Sequence, residues 1–370
     1  YPKINHSETK AMLDVESLRK FSEVSSASAA TLPHYVKVKE KSPEVLIIRK
    51  YHPLNTIAHS SGNFFSTGPV TDWPQVYAGH WTYRDGKILM DNISHVSKKV
   101  KLNNTDNLEV DEYVVIYDAP KGSFINAEHA LIKEIDHTNN ILTLERGYKS
   151  DVYSHDAGAI IAQHHTQAGR SLNWTYNFST TCPKDGNGKI LAECRADWIV
   201  DNYYKTLDGV AVDEDLVDGI MLDAFSYYRK GGTDSDNDLI IDDGEINGEK
   251  VWINGMNIFY QRVKRKLPED KLFIGGGPNS WGFDWLNGTQ MEVWPIGFRD
   301  GGTVEKAWAS NFMKMNTYMS YSVEPLYSEG LDRLPTEVYP FKNHHWGGDF
   351  SPQNRHFRFG FALALMSGAY

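Results

Sequence analysis

The chain has 370 residues, of which 41% are hydrophobic, and it carries a formal net charge of -10 at pH 7. An acidic chain without a basic patch argues against binding to nucleic acid, because contacts to phosphate need clustered Lys and Arg. A mean hydropathy of -0.48 argues against a membrane protein, and no apolar run approaches the roughly 20 residues that span a bilayer. The length accommodates one barrel of roughly 250 residues together with a smaller unit.

Residues 1–42 are polar and mixed, and we expect them to form an irregular N-terminal arm. The chain begins at Tyr1 without methionine or an apolar leader, as expected if a signal peptide or a tag has been removed. A secreted or cell-surface protein is expected, because an acidic loop of the calcium-binding type, described below, is most useful outside the cell, where calcium is abundant. The two cysteines, Cys182 and Cys194, lie in one loop, and their spacing permits a local disulfide but does not require it.

Two short apolar runs follow the arm and are predicted to be the first two strands of a parallel sheet. They are Glu44–Ile48 and Gln75–Trp81. Polar and aromatic side chains recur at the ends of both runs, as the rim of a cleft would require. For each histidine among them, a satisfied hydrogen bond near a strand end is the simpler interpretation. The candidate substrate-binding residues of these two strands are Tyr51, His52, His80 and Trp81.

The pattern changes over residues 84–165, where short β-type runs alternate with turn signals. The runs are Lys99–Leu102, Tyr113–Tyr117, Leu131–Ile135, Ile141–Leu144 and Ala159–Ala162. The stretch Asp136–Asn140 has the composition of a hairpin turn, and no helical period of useful length is present. These residues are predicted to form a small all-β module inserted after the second barrel strand. Such a module would stand on the active-site face of the barrel.

Strands and helices then alternate again over residues 166–370. The predicted strands are Ser171–Tyr176, Gly219–Asp223, Lys271–Gly275, Thr289–Pro295 and Tyr318–Pro325. The predicted helices are Ala196–Leu207, Val251–Leu267, Thr303–Lys314 and His356–Met366. With residues 43–83, this alternation predicts an α/β fold, a (β/α)8 TIM barrel that contains the catalytic domain.

Two carboxylates at strand ends are the candidate catalytic pair. Asp223 closes the apolar run Gly219–Leu222, and a charge at the end of a buried strand is costly unless it is used or paired. Glu292 lies in the strand two positions further along the predicted barrel, so both acids would face the same mouth. Hydrolysis of a glycosidic bond needs two such carboxyl groups. A buried ion pair of Glu292 with Arg299 is the structural alternative, and Glu324 is the reserve acid.

Aromatic and amide side chains near these acids could line sugar subsites, because aromatic rings stack against sugar faces. The remaining candidate substrate-binding residues are Tyr227, Asn279, Trp281 and Trp294.

An acidic stretch, Asp234–Glu245, has the spacing of a calcium-binding loop. Oxygen-bearing residues fall at loop positions 1, 3, 5, 9 and 12, with a backbone carbonyl expected from position 7. Leu239 departs from the pattern, because this position usually holds glycine. A solvated acidic turn is the alternative, but so many carboxylates repel one another without a cation. A structural Ca²⁺ is therefore predicted, with ligands from Asp234, Asp236, Asp238, Ile240, Asp242 and Glu245.

Three segments resemble a known family. The run Val217–Asp223 is similar to the fourth strand of a group of glycoside hydrolases with a TIM barrel, known as hypothetical glycosyl hydrolases. The run Arg358–Tyr370 resembles the last helix and strand of that group, and the acidic loop before Trp252 is similar as well. The resemblance covers most of residues 44–370 apart from the β insertion. It implies an O-glycosyl hydrolase with its fourth-strand acid at Asp223 and its sixth-strand acid at Glu292.

The expected function is hydrolysis of an extracellular polysaccharide or oligosaccharide by a two-carboxylate mechanism. A catalytically inactive barrel that binds glycans is the first alternative, because fold alone does not establish activity. A polysaccharide lyase or a metal-dependent hydrolase is the second, and it would need a Tyr/His base pair or a three-ligand metal cluster at the mouth. The expected partner is a carbohydrate, without nucleic acid and without a membrane span.

Overall fold

The structure, a computed structural model, describes residues 32–44, 46–51, 55–57, 77–148, 150–167, 170–207, 210–211, 215–222, 232–276, 282–292 and 304–331. The chain divides into two compact units, and each is assembled from separate stretches of sequence. Unit 1 comprises Tyr1–His52, Trp198–Tyr227 and Tyr260–Tyr370. Unit 2 comprises Pro53–Asp197 and Tyr228–Phe259.

The helices of the described residues are, in chain order, α1 (Leu32–Lys41), α2 (Leu191–Trp198, continued by a π-helical segment, Ile199–Tyr204), α3 (Val251–Lys266) and α4 (Val304–Tyr321). The strands are β1 (Ile48–Tyr51), β2 (Asn55–Ile57), β3 (Tyr83–Ile88), β4 (Lys99–Lys101), β5 (Tyr113–Asp118), β6 (Ile125–Asp136), β7 (Ile141–Arg146), β8 (Ile160–His164), β9 (Thr166–Gln167), β10 (Arg170–Thr175), β11 (Thr206–Leu207), β12 (Val210–Ala211), β13 (Gly219–Leu222), β14 (Leu272–Gly276), β15 (Gly288–Glu292) and β16 (Glu329–Leu331). Among these helices, none is long and apolar enough to cross a membrane.

Unit 1 contains a parallel sheet whose strand order is β1-β13-β14-β15-β16. Every residue of β13 and β14 is buried, as expected for apolar runs without polar alternation in a parallel sheet. The strands follow one another in chain order without a reversal. This order differs from that of doubly wound sheets, in which the direction reverses at a switch point.

Two buried or half-buried polar side chains tie this sheet to its surroundings. The carboxylate of Asp218, just before β13, pairs with Lys39 of α1 at 2.7 Å and accepts a hydrogen bond from the backbone N–H of Ile47 at 2.6 Å. Asn287, just before β15, accepts from the backbone N–H of Phe273 at 2.8 Å. Its amide donates to the carbonyl oxygens of Val323 at 3.2 Å and Pro325 at 3.1 Å. Asn287 therefore links β14 to the segment that follows α4.

Unit 2 is built around an antiparallel sheet with strand order β3-β8-β5-β6-β7-β4. Apolar side chains from these strands and their loops pack into one core, which includes Leu89, Val100, Val114, Ile116, Ile132, Leu142, Leu144 and Ile161. The turn between β6 and β7 is held by Asp136, whose Oδ1 accepts from the backbone N–H groups of Thr138 and Asn139 at 3.1 Å each. This is the predicted hairpin, and its Asx-type turn explains it.

The predicted β-type runs of residues 84–165 each coincide with a strand, so the all-β character of this stretch is confirmed for the residues that are described. Unit 2 takes in more of the chain than this stretch. In particular, β10 pairs antiparallel with β2 and with β9 to form a second sheet.

Two of the strands predicted for the barrel do not belong to the described parallel sheet. Ala78–His80 forms a 3-10 turn rather than a strand, closed by a hydrogen bond from the N–H of His80 to the carbonyl of Tyr77 at 2.9 Å. The predicted third strand exists as β10, but its neighbours are antiparallel. Because β1 pairs directly with β13, neither segment lies between them. Local apolar content marked these runs as buried without specifying their partners.

The predicted strand Tyr318–Pro325 is also wrong, because α4 continues to Tyr321. The buried residues Asn311, Met315 and Tyr318 recur at helical spacing, so packing of one helix face overrides the β-propensity of the aromatic residues. The predicted helix Val251–Leu267 is confirmed as α3, and the predicted strand Lys271–Gly275 is confirmed as β14 within a residue.

Two further predicted helices stand differently. The predicted helix Ala196–Leu207 begins earlier, at Leu191, and gives way to β11 at Thr206. The predicted helix His356–Met366 lies outside the described residues. The eightfold barrel stays a prediction; the described residues of unit 1 form a parallel sheet of five strands.

Close packing of α3 against the segment after β10 gives a first test. A Cβ added to Gly255 would lie 1.7 Å from the carbonyl oxygen of Phe178, a backbone atom that cannot rotate away. We expect Gly255→Ala to lower the free energy of unfolding by about 1–3 kcal/mol, as overpacking does. The exposed neighbour Asn254 supplies the control, because Asn254→Ala should change it by less than about 0.5 kcal/mol. Urea unfolding measures both; a Gly255→Ala protein that is more stable, as in an unobstructed helix, would contradict this packing.

Candidate functional site

The acidic loop is built into unit 2 through its backbone. The carbonyl oxygen of Ser235 accepts three side-chain hydrogen bonds, from Asn177 at 2.8 Å, Ser179 at 2.7 Å and Thr181 at 3.1 Å. The buried side chain of Asn237 donates to the carbonyl of Trp81 at 3.2 Å. These anchoring hydrogen bonds were not predicted from the sequence. The sequence feature that could have indicated them is the alternation of polar residues at 177, 179 and 181, shortly after β10.

The loop backbone curls around its own carboxylates. The N–H groups of Asp238 and Leu239 donate to Asp234 at 3.2 Å and 2.6 Å. Leu239 has a φ of 70°, the left-handed conformation that glycine usually supplies at this loop position. Its side chain lies against Gly86 of β3, where an added Cβ would come 2.0 Å from Leu239 Cδ1. Packing on β3 therefore accounts for a leucine where the pattern expects glycine.

Three carboxylates of the loop converge. Asp234, Asp236 and Asp242 each offer an oxygen, and these oxygens all lie within 4.8 Å of one another. Asp242 is held in place by the N–H and hydroxyl of Ser235, at 2.6 Å and 2.7 Å, and by the N–H of Gly244 at 2.7 Å. The structure thus brings together half of the predicted ligand set.

The other predicted ligands stand apart from this group. Asp238 uses Oδ1 to accept from the backbone N–H of Ile240 at 2.7 Å, and neither Asp238 nor Glu245 belongs to the convergent group. Glu245 is exposed, as is the side chain of Ile240. The expected contribution of Ile240 is a backbone carbonyl, which stays a prediction.

Asp234 carries the electrostatic strain of the loop. It is 1% exposed, and its burial, together with the charges of Asp236 and Asp238, raises its pKa to about 7. Among the described residues, no Lys or Arg forms an ion pair with these carboxylates. A hard divalent cation would neutralise them and is matched by their all-oxygen donors. The residues therefore fit Ca²⁺.

Most residues predicted at the barrel mouth lie outside the described part of the chain. These are Asp223, His52, Tyr227, Asn279, Trp281 and Trp294. Tyr51 is the last residue of β1, and Glu292 is the last residue of β15. Glu292 therefore occupies the carboxyl end of a parallel strand, as predicted.

The reserve acid Glu324 is not at a strand end. It is exposed on the turn after α4, and its Oε2 accepts from the N–H of Leu326 at 3.1 Å. The backbone of this turn bonds to Leu286 and Asn287 at the start of β15. Glu324 therefore lies near the amino ends of the parallel strands, whereas Glu292 lies at a carboxyl end. Glu324 is not at a strand end because α4 continues to Tyr321, so the residues predicted as the seventh strand form the end of a helix and the turn after it.

His80 and Trp81 do not fit the substrate-binding role predicted for them, because each is 1% exposed. Trp81 packs edge-on against Trp174, with ring centroids 5.5 Å apart. Its indole is core of unit 2 and presents no face to a sugar. His80 approaches the carbonyl oxygen of Lys189 at 3.4 Å.

The convergent carboxylates generate a calcium prediction. At a calcium concentration 100-fold above Kd, binding to the folded state alone should stabilise the protein by about 2.7 kcal/mol, and a chelator should remove this gain. Asp236→Asn should abolish most of it. Asp243→Asn is the matched control, because Asp243 bonds to the backbone N–H of Thr233 and is outside the group. Differential scanning calorimetry measures these differences; equal melting curves with and without chelator would refute the site.

The buried carboxyl gives this effect a pH dependence. Without calcium, Asp234 stays protonated in the folded protein up to about pH 7, whereas an unfolded aspartate ionises near about pH 3.9. Between these values the folded state binds more protons, so stability without calcium falls as pH rises. The calcium-dependent increase in Tm should therefore widen from about pH 5 to about pH 8. A calcium-dependent increase in Tm that is the same at about pH 5 and about pH 8 would contradict this raised pKa of Asp234.

The chain matches no protein-family model, and no curated protein matches it. The resemblance to glycoside hydrolases therefore rests on the three segments quoted above.

Proposed function

We propose that the protein is a glycoside hydrolase that cleaves a polysaccharide or oligosaccharide outside the cell, with Asp223 and Glu292 as its two catalytic carboxyl groups. We propose further that the parallel sheet of unit 1 is part of a (β/α)8 barrel. The winding of this sheet in chain order supports such a barrel, because each new strand is added on the same side.

The register of the parallel sheet is the observation that carries the catalytic pair. Leu222 is aligned with Gly275, and Gly275 is aligned with Thr289. Asp223 comes one position after Leu222, and Glu292 comes three positions after Thr289. Both offsets are odd, so our proposal places the two acids on one face by extending the alternation of side chains one residue beyond Leu222.

The spacing of the sheet supports the same assignment. One strand, β14, lies between β13 and β15, and adjacent strands are about 4.8 Å apart. In this register the position one residue after Leu222 is level with Gln290, two residues before Glu292, so the two chain positions are separated by roughly 10 Å across the sheet and roughly 7 Å along the strands, about 12 Å in all. Carboxyl side chains that lean towards a shared substrate from this distance reach the separations of about 5–9.5 Å used by retaining and inverting glycosidases.

The reaction requires the two acids to be in different protonation states. One must be protonated to donate to the leaving oxygen, and the other must be ionised to attack the sugar or to activate water. Two carboxyl groups near one apolar wall provide this difference, because ionisation of one raises the pKa of the other. The fully buried strand β13 supplies such a wall directly before Asp223.

Digestion of a glycan panel tests the proposal. Asp223→Asn and Glu292→Gln keep the shape of each side chain but remove its proton chemistry, so we expect hydrolysis to fall by about 10²–10⁴-fold. Glu324→Gln is the matched control and should cleave at the wild-type rate, because Glu324 lies at the other edge of the sheet. Product release is followed by reducing-end assay and mass spectrometry, with circular dichroism to verify the fold.

The outcomes separate the alternatives. A wild-type protein that binds glycans without cleaving them is a binding barrel, and unsaturated products identify a lyase. Wild-type activity in Asp223→Asn would refute the assignment of Asp223 and Glu292 as the catalytic acids. Loss of activity in Glu324→Gln would refute the assignment of the active site to the carboxyl ends of the strands.

A further inference from the structure

A second group of candidate metal ligands lies in unit 2, separate from the acidic loop. It consists of His80 from the 3-10 turn, Asp185 from the loop before α2, and Cys194 of α2 itself. A nitrogen, a carboxylate oxygen and the sulfur of these residues all lie within 4.8 Å of one another. His80 and Asp185 are buried, and Cys194 is partly buried.

The separations suit coordination by one ion. Zinc bonds of about 2.0–2.3 Å in a tetrahedral arrangement place ligand atoms roughly 3.3–3.8 Å apart. Cys194 Sγ lies 3.5 Å from Asp185 Oδ2, which falls within this range. The backbone N–H groups of Asn187 and Lys189 donate to the other oxygen, Asp185 Oδ1, at 2.8 Å and 3.0 Å. Oδ1 therefore orients the loop, and Oδ2 faces the thiol and also accepts a long hydrogen bond from the side chain of Asn187 at 3.4 Å.

The ring of His80 gives a second observation, independent of the distances, that points to a bound metal. Its Nε2 lies 3.4 Å from the carbonyl oxygen of Lys189, whereas its buried Nδ1 has no hydrogen-bond partner. If Nε2 carries the proton and donates it to that carbonyl, Nδ1 presents a lone pair. Zinc-binding histidines are oriented in this way, with the second ring nitrogen donating to a carbonyl or carboxylate.

We propose that His80 Nδ1, Asp185 Oδ2 and Cys194 Sγ bind a zinc ion, with a fourth position open to water. The mixed nitrogen, oxygen and sulfur set selects a borderline-soft divalent ion rather than calcium. The metal joins the 3-10 turn to the loop before α2, and His80 and Lys189 are 109 positions apart in the chain. The zinc would therefore link two distant chain segments while keeping one position for water, and the proposal does not depend on the proposed glycosidase activity.

Cys182 provides the main competing arrangement, a disulfide with Cys194. In the structure both cysteines are free thiols. The sulfur of Cys182 approaches the carbonyl oxygens of Pro183 at 3.5 Å and Gly79 at 3.6 Å, and it is not a member of the convergent group. The two cysteines therefore have different roles in the proposal, which makes Cys182→Ser a matched control for Cys194→Ser.

The experiment measures metal content and cobalt spectra of the full chain, purified under reducing conditions and kept in excess calcium to occupy the acidic loop. Wild type and Cys182→Ser should each hold zinc in a one-to-one ratio. After replacement of zinc by Co²⁺, both should show a thiolate-to-cobalt charge-transfer band, which carboxylates alone cannot produce. Cys194→Ser should lose this band, and Asp185→Asn should bind zinc at least about tenfold more weakly.

Asp185→Asn also protects the test against simple misfolding, because its amide oxygen can still accept the loop hydrogen bonds. Circular dichroism verifies that each variant is folded. A wild-type protein that binds no zinc with its thiols reduced would overturn the proposal. So would a charge-transfer band that survives Cys194→Ser, or a cobalt site that Cys182→Ser destroys to the same extent.

Discussion

Burial of the Asp234 carboxyl is the constraint on which the organisation of unit 2 depends. The acidic loop comes from the second stretch of this unit, whereas its anchors, Asn177, Ser179 and Thr181, come from the first. Those hydrogen bonds join the two stretches and carry Asp234 into the interior. The cost of an ionised carboxyl there must be met by a proton or by a cation. The charge state of one side chain is thereby coupled to the attachment of a whole chain segment.

The elements that the sequence predicted well are those whose signal is local. The apolar run of β13, the amphipathic period of α3 and the alternating strands of the β module each specify themselves within a few residues. The convergence of Asp234, Asp236 and Asp242 could be anticipated for the same reason, because their spacing lies within one short stretch; binding of Ca²⁺ there stays a prediction. The exception to the loop pattern, Leu239, became intelligible only through Gly86 of β3, a contact that no local pattern contains.

The failures concern partners rather than propensities. Within the predicted strand Gln75–Trp81, residues 78–81 are buried as expected, yet Ala78–His80 forms a turn. The direct pairing of β1 with β13 could not be inferred, because neither strand's sequence identifies its neighbour. The cluster of His80, Asp185 and Cys194 was missed for the same reason. Its members share no motif, and only the fold brings together residues more than a hundred positions apart.

The distance along the chain between β1 and β13 also affects the order of folding. Ile47 and Asp218, which meet beside these strands, are 171 positions apart. On a ribosome, β1 therefore emerges long before its partner, and its backbone N–H and C=O groups stay without the β13 pairing until then, a state that favours aggregation. The chain made in that interval includes the entire first stretch of unit 2. Early collapse of that stretch would shorten the loop that β1 and β13 must close, and so lower its entropic cost.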